Sequence, residues 1–172
     1  MTTTSIVRFR TKNPRRNLPR VVRFKKTEIN FQANFLRIYL SQLNSVGIGG
    51  KQFELPGFGI ADFIWATPEG KIDAFEFKVD NWKKGFGQAA RYRSYANRSF
   101  LILPAEIAAR VINHIHFFHN INLGFWSFDI KTETIVRYFT PMESRPLNSH
   151  AQTIALQILN RKLKFRQLLK SC

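Results

Sequence analysis

Apolar and polar positions alternate with a period of two in two neighbouring stretches, Ile60 to Ala66 and Ile72 to Val79, and with a period near 3.6 in longer ones. The first pattern predicts half-buried strands and the second amphipathic helices. Between the two strands, Thr67-Pro68-Glu69-Gly70 supplies the Pro and Gly of a tight connection, so the pair reads as a β-hairpin. Upstream, Phe31, Phe35, Tyr39 and Leu43, with Ile29, Leu36 and Leu40 beside them, predict a helix over 28–45. Thr27 would be its N-cap, and Gly47, Gly49 and Gly50 would end it. A first strand is expected over 51–55. After the hairpin, a polar loop over 80–87 should lead into a helix over 88–96. The apolar run 99–104 reads as a strand buried on both faces, completing a β-α-β crossover with a parallel pair. A helix over 105–119, an edge hairpin of 123–128 with 134–139, and a basic amphipathic helix over 148–171 that seals the core complete the chain. The expected class is α/β, a mixed central sheet flanked by helices.

The hairpin carries the candidate chemistry. If Ala66 pairs with Ile72 across residues 67–71, Asp62 falls opposite Glu76. Lys78 then projects on the face of Glu76, while Phe63, Trp65, Phe75, Phe77 and Val79 fill the other. A loop shorter by one residue would turn Asp62 away. Opposed carboxylates destabilise each other unless a positive charge sits between them, and either a divalent cation or the ammonium of Lys78 would serve. Oxygen ligands suit Mg²⁺. A metal to polarise a phosphoryl oxygen and a lysine beside its water are equipment for hydrolysing a phosphodiester. Glu-x-Lys by itself is far more often an ordinary surface pair; here it is embedded in the apolar sequence A-F-E-F-K-V.

Gly59-x-x-Asp62, then Glu76-x-Lys78, then Gln88-x-x-x-Tyr92 on the following helix resembles the active-site signature of the PD-(D/E)XK nuclease superfamily, over roughly residues 28–104. Ala61 stands where the name-giving proline would be. The resemblance implies a restriction-endonuclease-like αβββαβ core and Mg²⁺-dependent cleavage of DNA, with Mn²⁺ able to substitute. It implies a metal held by Asp62, Glu76 and the Phe77 carbonyl, Lys78 as the catalytic lysine, and Gln88 in support. It also suggests that an acid on the first helix, Glu28, approaches the metal, although a carboxylate in a first helical turn has a purely structural use as well. Glu54 is a second outer candidate.

Charge points to the partner. Lys and Arg number 27 against 11 Asp and Glu, a formal net charge of +16. Such an excess selects a polyanion, DNA first and RNA after it, and no apolar run approaches the length that spans a bilayer. Residues 1–27 hold nine basic residues and no acid, and read as a nucleic-acid-binding arm ahead of a single domain over 28–172, with I-V-R-F-R and V-V-R-F-K candidate strands in it. Arg15 and Arg16 in this arm, Lys83 and Lys84 before the second helix, and Arg91 and Tyr92 within it are the expected DNA contacts. His114, His116 and His119 share no helical face as a set of three and lack a cysteine, so packing or nucleic-acid contact explains them better than zinc. The lone cysteine, Cys172, fits a reducing compartment, cytoplasmic or nucleoid-associated rather than secreted. A homodimer would let two single-strand cuts make a double-strand break. The competing expectation is a basic nucleic-acid-binding protein without turnover, on a degenerate nuclease fold or another.

Overall fold

A computed structural model describes residues 20–43 and 46–170, with side chains described over 27–43 and 46–161. The elements run α1 (Arg20–Ser41), β1 (Ile48–Leu55), β2 (Gly59–Ala66), β3 (Ile72–Phe77), α2 (Trp82–Tyr92), β4 (Arg98–Pro104), α3 (Ala105–Val111), a 3₁₀ turn (Ile112–His114), α4 (Ile115–Asn120), β5 (Gly124–Asp129), β6 (Thr134–Phe139) and α5 (Ser149–Lys170). The six strands form one mixed sheet in the order β1-β2-β3-β4-β5-β6, parallel at β3–β4 and β4–β5 and antiparallel elsewhere. Among the described residues no helix is long and apolar enough to cross a membrane.

Each sheet face has its own core. On one, α1 lays Phe31, Phe35 and Tyr39 against Phe63, Phe75, Phe77, Phe100, Trp126 and Phe128. Rings interlock there, with Phe35 edge-on to Phe77 at 5.2 Å between centroids and Phe75 stacked on Phe100 at 4.8 Å. The other face is covered by α2, α3, α4 and α5, which contribute Ala89, Tyr92, Ala108, Val111, Phe118, Ala151, Ala155 and Leu159. Burying each large apolar side chain contributes roughly 1.5–3 kcal/mol, so the two faces hold the sheet from both sides. All six residues of β3 are buried, which is why both of its faces had to be apolar except where Glu76 and Asp73 interrupt.

Several expected boundaries move. Residues 20–27 are helical, so α1 passes straight through Thr27, which is not an N-cap, and V-V-R-F-K is not a strand. Val-Val favours a strand locally, but Arg and Lys on either side are good helix formers and no strand partner is present among the described residues. The expected division between arm and domain at 27 therefore falls inside a helix. α1 stops at Ser41, and Gly49 and Gly50, expected only as breakers, lie in β1. α2 begins at Trp82, inside the stretch expected as a loop, with Asn81 as N-cap accepting from the Lys84 N–H. The expected helix over 105–119 is divided by the 3₁₀ turn.

Candidate active site

The hairpin register is the expected one: Ala66 pairs with Ile72 and Phe63 with Phe75. Beyond that pair the strands part, and Asp62 reaches across with its side chain, Oδ2 accepting from the Phe77 N–H at 2.9 Å. This is possible because the strand changes face at Asp62. Lys51 pairs with Phe63, which belongs to the α1 face, while Phe53 pairs with Ala61, and both of these belong to the opposite face. Residues two apart ordinarily share a face. The phase is broken at the intervening opposed residues, Gln52 and Asp62, and Gln52 adopts a left-handed backbone with φ of 46°. Its Nε2 donates to Asp62 Oδ1 at 2.9 Å. Gln32 on α1 donates to the Asp62 carbonyl at 2.8 Å. Neither glutamine carries a pattern visible in the sequence; they are found only by the fold.

Glu76 is 1 % exposed. Its Oε2 accepts from the Tyr92 hydroxyl at 2.5 Å, and the same hydroxyl lies 2.6 Å from the Ile60 carbonyl. Its Oε1 is ion-paired with Lys78 Nζ at 2.9 Å and has no other partner. Burial first, and then the charge of Asp62, pushes the Glu76 carboxyl up to about 7, against Lys78 and Tyr92, which pull it down. Lys78 Nζ also lies 3.2 Å from the Phe77 carbonyl and 3.4 Å from Glu28 Oε1. Burial works to lower the lysine's pKa, but Glu76, Glu28 and Asp62 outweigh it and the result is upward: the group is an ammonium.

The four oxygen-bearing residues expected to hold a cation, from α1, β2 and β3, are linked through Lys78 and the Phe77 peptide group. The ammonium stands among Glu76, Glu28 and the Phe77 carbonyl. Among the described residues no three His, Cys, Asp or Glu side chains are grouped as a metal-holding set. The donor chemistry nonetheless fits a hard cation, because the buried Glu76 Oε1 is met by the Lys78 ammonium alone, and that ammonium also meets the Phe77 carbonyl and Glu28. Glu54, by contrast, is exposed on β1 opposite Ile60.

α2 comes down close to the site because residue 85 is glycine. A Cβ there would lie 2.5 Å from Lys78 Cγ and 2.8 Å from Leu101 Cδ1. Gln88 sits one turn before Tyr92 on this helix, half-buried, its Oε1 buried without a hydrogen-bond partner. Tyr92, expected to brace a substrate, does not reach solvent: it is 1 % exposed and spends its hydroxyl on Glu76 and Ile60. Lys83, Lys84 and Arg91 are exposed on the same helix. Arg15 and Arg16, like the candidate strand I-V-R-F-R, lie outside the described residues. The three histidines are exposed, and His114 and His119 stack on Trp82 and Phe139.

A scan against protein-family models finds no match, and no curated protein matches the chain. Among solved structures, a protein of unknown function from Silicibacter pomeroyi is similar, with a TM-score of 0.53 and 16 % identity over 81 % of this chain and 86 % of that one. At that identity the likeness concerns the fold alone.

Proposed function

We propose that the chain is a Mg²⁺-dependent deoxyribonuclease of the PD-(D/E)XK type, acting as an endonuclease on DNA phosphodiester bonds. The succession α1-β1-β2-β3-α2-β4 supports a restriction-endonuclease-like core. The observation that carries the reading is the convergence of Lys78 on Glu76, Glu28 and the Phe77 carbonyl, beside an Asp62 carboxylate tied to the Phe77 N–H. Asp62, Glu76 and the Phe77 carbonyl would hold Mg²⁺ or Mn²⁺, with Glu28 outside them. When bound, the ion polarises a phosphoryl oxygen and lowers the pKa of a bound water.

The protein's own groups supply orientation and charge. Phe77 N–H and Gln52 fix Asp62; Tyr92 fixes Glu76; the unpaired Gln88 oxygen is an acceptor suited to a water. Held as an ammonium, Lys78 orients the attacking water and offsets charge developing on the phosphoryl group, which fits its upward shift better than proton abstraction does. In-line attack would leave a 5′-phosphate, in keeping with the resemblance. Lys83, Lys84 and Arg91 provide phosphate contacts.

One observation favours a second reading, a DNA-binding protein without turnover: Lys78 is already ion-paired with Glu76 and Glu28 and offsets part of the acids' charge without a metal. Incubation of supercoiled plasmid with and without Mg²⁺ separates the two. The enzyme reading expects nicking only with metal, lost in Lys78→Ala and Asp62→Asn while DNA binding survives. A salt-sensitive gel shift with no cutting under any condition would leave only the binder.

A further inference from the structure

The histidines and aromatic residues of α4 are not used by the site above, and their geometry is unusual. Six rings follow one another with small interplanar angles. Tyr138 stacks on Phe125 at 4.9 Å and 22°, Phe125 on Phe118 at 4.7 Å and 21°, Phe118 on Trp82 at 6.3 Å and 26°, Trp82 on His114 at 5.4 Å and 22°, and His114 on Phe117 at 6.0 Å and 21°. The inner rings, Phe125 and Phe118, are fully buried between the sheet and its helices. The outer ones emerge: His114 is exposed and Phe117 is 46 % exposed, with His116 tilted against it at 4.1 Å. The 3₁₀ turn that separates α3 from α4 lies at Ile112–His114, and brings His114 over the Trp82 ring. Trp82 itself opens α2, one turn ahead of Gly85, the residue set against Lys78.

The series is therefore held by its buried middle rings, Phe125 and Phe118, between a half-buried Tyr138 at one end and the exposed His114 and Phe117 at the other. Its surroundings are basic. The cations nearest in sequence to its outer rings are Lys83, Lys84 and Arg110, against one acid, Glu106. Arg110 lies one turn before His114, and Lys83 and Lys84 follow Trp82 directly. A flat ring surface among cations suits a flat ligand on an anionic backbone, because every base has a π face and stacking on an aromatic side chain needs no sequence readout. A paired base inside a duplex offers no free face to such a column.

We infer that the outer end of this column, His114 and Phe117 supported by Trp82, is a stacking platform for unpaired nucleobases, giving the protein a preference for single-stranded or strand-parted nucleic acid. The choice of ligand rests on the nucleic-acid half of the proposed function, but not on cleavage. The platform is supported by the helix that packs against Lys78, so a strand held there runs beside the candidate site.

The test is binding by the full chain in a metal chelator, where no cutting occurs, using fluorescently labelled oligothymidylate and, separately, a duplex of equal length. Phe117→Ala and His114→Ala should each weaken the single-strand complex roughly tenfold, the scale of one base–aromatic stack, and leave the duplex complex unchanged. Phe117→Trp should restore single-strand affinity. Because both side chains are exposed, thermal melting should match the parent. No detectable single-strand binding by the parent, unchanged affinity in both alanine variants, or an equal loss on duplex would each overturn the platform. Loss of plasmid nicking in Lys78→Ala is read independently, so either idea can fail without the other.

Discussion

Gln52 holds a backbone conformation that costs a side chain other than glycine on the order of 1–3 kcal/mol, and what it secures there is one hydrogen bond to Asp62. Strain and site are thus coupled at one residue. Gln52→Gly should leave stability unchanged or raise it by up to about 1 kcal/mol, while lowering Mg²⁺-dependent nicking roughly tenfold. Thermal melts and initial rates check the two halves separately; a drop in stability matching the drop in rate would show that Gln52 only holds the hairpin together. Glu76 carries a pH prediction. Its folded pKa of about 7 lies above that of an ordinary carboxyl, so the native state binds the proton more tightly. The associated stability is fully present below about pH 4.5 and is lost as pH rises through about 7, a span on the order of 3 kcal/mol. Denaturant unfolding should show this decline between about pH 5 and 8, and Glu76→Gln should flatten it. Since a cation competes with that proton, apparent Mg²⁺ affinity should rise over the same interval.

At the level of elements, the position of α2 decides whether Lys78 can stay where it is. Gly85→Ala would place a Cβ within 2.5 Å of the lysine's Cγ, with the Leu101 side chain hemming it in on another side. The lysine must shift, and nicking should fall by about a hundredfold, the effect of a misplacement near 1 Å. DNA affinity should hold, which a gel shift checks. The helix pins the other partner as well. Tyr92→Phe removes the one hydroxyl that lies between the buried Glu76 Oε2 and the Ile60 carbonyl and should cost about 1–3 kcal/mol of stability by denaturant unfolding. These two constraints, from glycine and tyrosine, explain why α2 begins earlier than its local sequence indicates. Gly85 and Gly87 look like breakers in a polar loop, but the close approach to the lysine demands a residue without a side chain at 85 and outweighs the propensity cost of about 1 kcal/mol per glycine.

For the whole molecule, the formal charge of +16 would make the proposed association with DNA a property of the field before it is one of the site. Affinity should fall linearly with salt on logarithmic axes. Replacing Lys83 and Lys84 together by glutamine should reduce that slope by about 1 for each phosphate that is no longer neutralised, without altering preference among sequences. An unchanged slope would remove those lysines from the interface. The layered architecture makes such tests clean, because the basic side chains of α2 lie at the surface while two separate apolar faces carry the stability of the sheet.

The element order, the hairpin register and the partition of Phe63, Phe75 and Phe77 from Glu76 were legible along the chain, because side-chain alternation and the Pro-Glu-Gly turn are local and depend on neighbours a few residues away. Gln52, the burial of Tyr92 against Glu76, the glycine beneath Lys78 and the column that ends at Phe117 were not. Each joins segments that lie apart in the sequence, and whether a tyrosine faces solvent or a carboxylate is set by which surface its helix lays on the sheet, a choice that only the packing of both layers makes.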